Sequence, residues 1–130
     1  MNTSQSVRLV AKLNRDTKEN KIKWRVSPSG ALSLAGTETV LDNAYICKVL
    51  DKYIRLFRLK AKFYYDEGAY EWVENYRLEF VDVTGKSEWT FPDSTAIYDL
   101  YETVRYKTSN VEDFFNKFIG DEKEGDEDSL

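Results

Sequence analysis

Five aromatic residues fall within ten positions from Phe63 to Trp72 (FYYDEGAYEW). Tyr and Trp offer large, rigid contact area at low entropic cost, so Tyr64, Tyr65, Tyr70 and Trp72 are candidates for a protein-binding surface. Strand alternation would also turn part of such a cluster inward as cross-strand aromatic pairs. A second set of residues is basic: Lys21, Lys23, Arg25, Arg58, Lys60, Lys62 and Arg77. These would gather on one polar sheet face if the first strand joins the same sheet, with Tyr64 available to stack. Cations beside an aromatic on an open sheet are what single-stranded nucleic acid or another anion requires. The same outward Lys and Arg also keep an exposed sheet face soluble.

Catalytic chemistry finds little support. The chain has no histidine, so a Ser-His or Cys-His nucleophile would need a strongly shifted Lys or carboxylate as its base. The single cysteine, Cys47, alternates with Tyr45 and Val49 and reads as a small buried apolar residue. Glu74, Glu79 and Glu88 are spread among Lys and Arg, which suits cross-strand ion pairs better than a glycosidase carboxylate pair. One cysteine without histidine does not suit zinc, and the acids of residues 121–128 do not follow the order of a calcium loop. No phosphate loop or GxGxxG motif is present. The expectation is a non-enzymatic protein with no cofactor and no metal.

These residues belong to a chain of 130 residues, 42% hydrophobic and 32% charged, enough to bury roughly two-thirds of its unfolded surface in one core. The net charge of −4 hides an asymmetry. Residues 121–130 hold six acids and one base, a net −5, leaving 18 bases against 17 acids over residues 1–120. The pI of 5.0 therefore describes a tail more than a surface. One α+β domain over residues 1–120, followed by a disordered acidic tail over 121–130, is expected. A single cysteine allows no intrachain disulfide and suits a reducing, cytoplasmic setting. The first 26 residues lack the unbroken apolar run of a signal peptide, and no segment is apolar enough to span a bilayer.

Spacing of Val7, Val10, Ala11, Leu13, Asn14 and Thr17 predicts a helix over 4–19, ended by Asn20. Alternation of Ile22, Trp24 and Val26 with Lys21, Lys23 and Arg25 predicts a first strand over 21–26. Residues 27–39 read as a long Gly- and Ser-rich loop. A second strand over 45–50 joins a third over 53–65 through a tight turn at Asp51-Lys52, and residues 66–70 connect the third to the fourth. Pairing positions that sum to 137 sets Phe57 against Phe80, Leu59 against Leu78 and Ala61 against Tyr76. It sets Arg58 against Glu79, Lys60 against Arg77 and Lys62 against Asn75 on the polar face. The next turn, residues 83–86, sets Trp89 opposite Phe80 and Phe91 opposite Leu78. Asp93 or Ser94 then caps a helix with the stripe Ile97, Leu100, Tyr101 and Val104. Asn110 caps another, whose Val111, Phe114, Phe115, Phe118 and Ile119 form a buried stripe ending at Gly120. The expected architecture is an N-terminal helix, a five-stranded antiparallel meander and two C-terminal helices packed on one sheet face.

YRLEF (76–80), WTFP (89–92), DLYETVRYK (99–107) and VEDFF (111–115) resemble the C-terminal half of a scattered set of short bacterial proteins of uncharacterised function. The likeness covers mainly residues 45–120 and implies a bacterial or bacteriophage origin, with no site residue to carry over. The functional expectation is a small cytoplasmic binding protein, an adaptor, inhibitor or regulator, meeting a protein partner through the aromatic tip. The alternative is single-stranded nucleic acid on the basic face, with the acidic tail competing in cis. An uncovered sheet face or edge would also suit homodimerisation.

Overall fold

Asn2 starts the first helix. Its side chain accepts a hydrogen bond from the Gln5 backbone at 2.8 Å, and the Gln5 side chain accepts one from the Asn2 backbone at 3.0 Å. This reciprocal cap satisfies two of the helix's orphan N–H groups and launches α1 (Thr3–Lys18), which buries Ser6, Val10, Leu13 and Thr17. The computed structural model describes residues 1–27 and 36–128, the last eight as helix backbone only. It is an α+β fold: α1, then β1 (Arg25–Ser27), β2 (Glu38–Val49), β3 (Lys52–Asp66), β4 (Ala69–Val81), β5 (Ser87–Thr90), α2 (Thr95–Thr108) and α3 (Val111–Asp128). The strands form one antiparallel sheet in sequence order.

The first strand is shorter than alternation suggests. Asn20 adopts φ 62°, and the Lys21 and Ile22 N–H groups donate to the Asp16 carbonyl, curling the chain around the end of α1. Trp24 Nε1 donates to Thr17 Oγ1 at 3.0 Å, and that hydroxyl donates to the Leu13 carbonyl at 2.7 Å. Ile22 and Trp24 thus reach the core from a non-strand segment. Of the expected loop over 27–39, residues 28–35 lie outside the described residues, while Ser27 closes β1 and Glu38 opens β2. Asp42 and Asn43, which interrupt the alternation, occupy a bulge between Leu41 and Tyr45, with Asp42 at φ 62°.

Turn chemistry corrects the register. Val49 pairs with Lys52, so the β2–β3 turn is Leu50-Asp51 rather than Asp51-Lys52, with Leu50 at φ 54°. At the next hairpin Asp66 pairs with Ala69 and Tyr64 with Tyr70, leaving Glu67-Gly68 as the turn and a one-residue irregularity beside it. Gly68 takes φ 73°, a conformation that costs glycine nothing. Paired positions from Tyr53 to Tyr64 therefore sum to 134 and not 137. Phe57 faces Arg77, Leu59 faces Asn75 and Ala61 faces Val73, whereas Arg58, Lys60 and Lys62 face Tyr76, Glu74 and Trp72. An odd shift moves one strand's side chains to the opposite face relative to its partner. Trp89 opposite Phe80 is as expected, and the Phe91 N–H donates to the Leu78 carbonyl at 2.9 Å.

The main core lies between the sheet and two helices. Ile54, Leu56 and Leu78 meet Tyr45, Cys47, Val10, Leu13, Phe91, Ile97, Leu100, Tyr101 and Val104, and α2 lies on α1 and β4. Ser94 occupies the N-cap position of α2 but its side chain makes no cap bond. The other sheet face holds a smaller cluster of Ala44, Phe57 and Leu59, beside an ion pair in which Arg55 and Glu79 are each 5% exposed. Arg55 Nε and Nη2 both reach Glu79 Oε1, at 2.8 and 2.5 Å, and Nη1 reaches the Gly85 carbonyl at 2.9 Å.

The last helix departs most from expectation. Asn110 takes φ 58° and turns the chain between α2 and α3. Phe114, Phe115 and Phe118 are 69%, 59% and 64% exposed, so the expected buried stripe is bare except at the half-buried Ile119. Gly120 does not stop the helix, which continues to Asp128, since a glycine inside a helix costs only about 1 kcal/mol.

Removing one member of a buried pair strands the other charge. Glu79→Ala should cost about 3–5 kcal/mol in urea unfolding, and the double change Arg55→Met, Glu79→Leu markedly less. Asp82 closes the β4–β5 turn by accepting from Thr84 N, Thr84 Oγ1 and Lys86 N at 2.9, 2.6 and 3.0 Å. Those bonds, led by the Thr84 hydroxyl, hold its carboxyl below the ordinary value. A depressed folded pKa gives stability that is complete above about pH 4 and lost as pH falls through the folded value. Asp82→Asn should therefore flatten the acid limb of a thermal-melt pH profile and leave its slope near pH 7 unchanged.

Candidate functional site

Towards the turn at Gly68 the sheet narrows: β2 pairs with β3 as far as Ala61, and from there β3 and β4 continue as a two-stranded ribbon. Alternation combined with the observed register puts Arg58, Lys60, Lys62 and Tyr64 of β3 on one face with Tyr70, Trp72, Glu74 and Tyr76 of β4. This is the face that carries the helices nearer the other end of the sheet. Tyr64 and Tyr70 rings lie 5.6 Å apart, and Tyr70 meets Trp72 edge-on at 6.0 Å. Lys60 Nζ sits 4.7 Å from the Trp72 ring centre, and Lys62 Nζ sits 4.5 Å from Tyr70 and 5.5 Å from Trp72. Each cation is drawn to the negative ring face. The aromatic ladder continues inward through Tyr76, whose ring lies 5.0 Å from both Tyr98 and Tyr101.

Three of the four aromatic candidates thus stand together, with Tyr64, Tyr70 and Trp72 all exposed. Tyr65 does not join them, because alternation sends it with Phe63 to the other face. The basic candidates are dispersed. Lys60 and Lys62 belong to the aromatic strip, and Arg58 on the same face is bound by Asp42 at 2.7 Å and Glu74 at 3.6 Å. Arg77 lies on the opposite face, 2.6 Å from Glu38 and over the Phe57 ring. Arg25 shares a row with Ile46 and Arg55 on that opposite face. Lys21 and Lys23 precede β1, and Lys21 pairs with Glu19 at 2.9 Å.

The outer edge of β4 adds a second feature. β5 reaches β4 only near Leu78 to Val81, so from Tyr70 to Arg77 the outer edge of β4 has no strand partner among the described residues. Unpaired N–H and C=O groups beside exposed Tyr70, Trp72 and Val73 make a surface onto which an extended segment could add.

Cys47 is buried, and burial pushes its thiol up to about 12. Tyr101 is likewise pushed up to about 12, first by burial and then by Tyr45 beside it. Among the described residues, no three of Cys, Asp and Glu gather to hold a metal ion, and no helix is long and apolar enough to cross a membrane. A groove of about 730 Å³ runs between α1 and the β2–β3 turn, floored by Leu9, Leu13, Ile22, Val49, Ile54 and Phe80. Neither this groove nor the bare face of α3 is evident from residue spacing. Comparison of the chain with protein-family models, curated proteins and solved structures brings no match.

A thiolate is the reactive form of cysteine, and Cys47 can supply one only when the core opens. Alkylation by iodoacetamide at pH 8 should be at least ~100-fold slower for the native chain than for the chain in urea.

Proposed function

We propose that this protein is a non-catalytic binding module that engages a protein partner through the β3–β4 ribbon. The observation that carries this reading is the continuous exposed strip of Tyr64, Tyr70 and Trp72, held by Lys60 and Lys62 lying over the rings. Rings braced by one another and by cations lose little further freedom on binding, which is what makes aromatic anchors effective. The matching partner presents an apolar surface bordered by carboxylates that can meet the two ammonium groups, and the outer edge of β4 can add main-chain hydrogen bonds.

Stacking favours a protein over a single-stranded nucleic acid. The ring faces that bases would stack on are occupied by lysine.

Tyr70→Ala with Trp72→Ala changes only exposed side chains and should leave the melting curve nearly unchanged. In affinity capture from the native host, with and without nuclease, this variant should lose the proteins that the parent retains, and nuclease should change nothing. Capture that survives the double change, or that nuclease abolishes, would overturn the proposal.

A further inference from the structure

Two apolar surfaces of this chain lack a partner among the described residues, and they complement each other. The first is the stripe of Val111, Phe114, Phe115 and Phe118 on α3, all exposed, with Phe114 and Phe118 stacked at 5.8 Å. α3 packs mainly against α2 near their junction, and a helix with a bare apolar stripe owes its stability in water to whatever covers that stripe. The second is the groove floored by Leu9, Leu13, Ile22, Val49, Ile54 and Phe80. At its rim stands Leu50, 91% exposed and held at φ 54°. A leucine in left-handed backbone is disfavoured by about 1 kcal/mol, and here it extends the apolar wall outward into solvent.

The charges of the two surfaces match as well. α1, which forms one wall, carries Arg8, Lys12, Arg15 and Lys18 against Asp16, a net +3. Lys12 is bound by Asp16 at 2.9 Å, whereas Arg8 and Arg15, both lining the groove, have no ion-pair partner among the described residues. α3 spans eight acids and two bases, a net −6. A phenylalanine-striped acidic helix and an apolar groove with a basic wall are the two halves of a helix-in-groove contact.

We infer that α3 of one copy seats its Phe114 and Phe118 side chains in the α1 groove of a second copy, and that the exchange is reciprocal. Because each chain owns both halves, two copies related by a two-fold axis bury two identical contacts and close the assembly. The ribbon takes no part in this contact.

Analytical ultracentrifugation of the full chain, with circular dichroism to confirm folding, tests the assignment. The parent should sediment at twice the mass of the 15.2 kDa chain and dissociate as salt rises from 50 to 500 mM, by about tenfold in affinity. Phe114→Asp with Phe118→Asp should weaken association by at least ~100-fold. Arg8→Glu with Arg15→Glu should weaken it by about tenfold and remove the salt dependence. Mixing the two variants should restore part of the association, because the intact groove of one meets the intact helix of the other. A parent that stays monomeric at about 100 μM, or a dimer indifferent to both pairs of substitutions, would overturn the inference.

Discussion

The two-residue turn at Glu67-Gly68 decides what every side chain in the centre of the sheet does. With Gly68 in left-handed backbone, β3 and β4 pair in one register and their alternation is locked together. Leu56 and Leu78 then fall under the helices, Arg55 and Glu79 meet on the far face, and Lys60 and Lys62 come over Trp72 and Tyr70. A slip by an odd number of residues would put carboxylates among leucines on one face and strand Arg55 on the other. Core, buried ion pair and aromatic strip are three results of one pairing.

That dependence also explains what could be read without coordinates. α1 and α2 were legible because 3.6-residue spacing is local, and Ile97, Leu100, Tyr101 and Val104 need no knowledge of the sheet to declare one face. The α+β meander was legible because its turns are marked by Gly68 and Gly85. The β3–β4 register was not, since a five-residue connection and a two-residue turn with an adjoining bulge are equally compatible with DEGAY, yet differ in which faces meet. The expected β2 starts only at Tyr45 because Asp42 and Asn43 break the apolar alternation, whereas they form a bulge across which the strand continues. The α3 stripe was read as core because periodicity reports that a helix has an apolar face and is silent about what lies against it.

The same distinction separates the two kinds of candidate residue. Aromatics cluster along the chain and remained clustered in space, since a hairpin brings near neighbours in sequence to each other. The seven bases were a set defined by charge alone, and the sheet sent Arg77 and Arg25 to one face and Lys60 and Lys62 to the other. Local opposite charges absorbed Lys21, Arg58 and Arg77. Alternation of Lys and Arg along strands describes solubility unless the register gathers them.

β3 runs unbroken for 15 residues from Lys52, beside the α1 groove, to Asp66, beside the tip of the ribbon. At about 3.3 Å per residue the two ends of that strand stand roughly 45 Å apart. The two surfaces share no residue, so a helix seated in the groove leaves every side chain of the ribbon tip untouched. Because the strand joining them is hydrogen-bonded along one or both sides, the ends are also held at a fixed spacing rather than by a slack tether, and the molecule has the geometry of a ruler with a contact at each end.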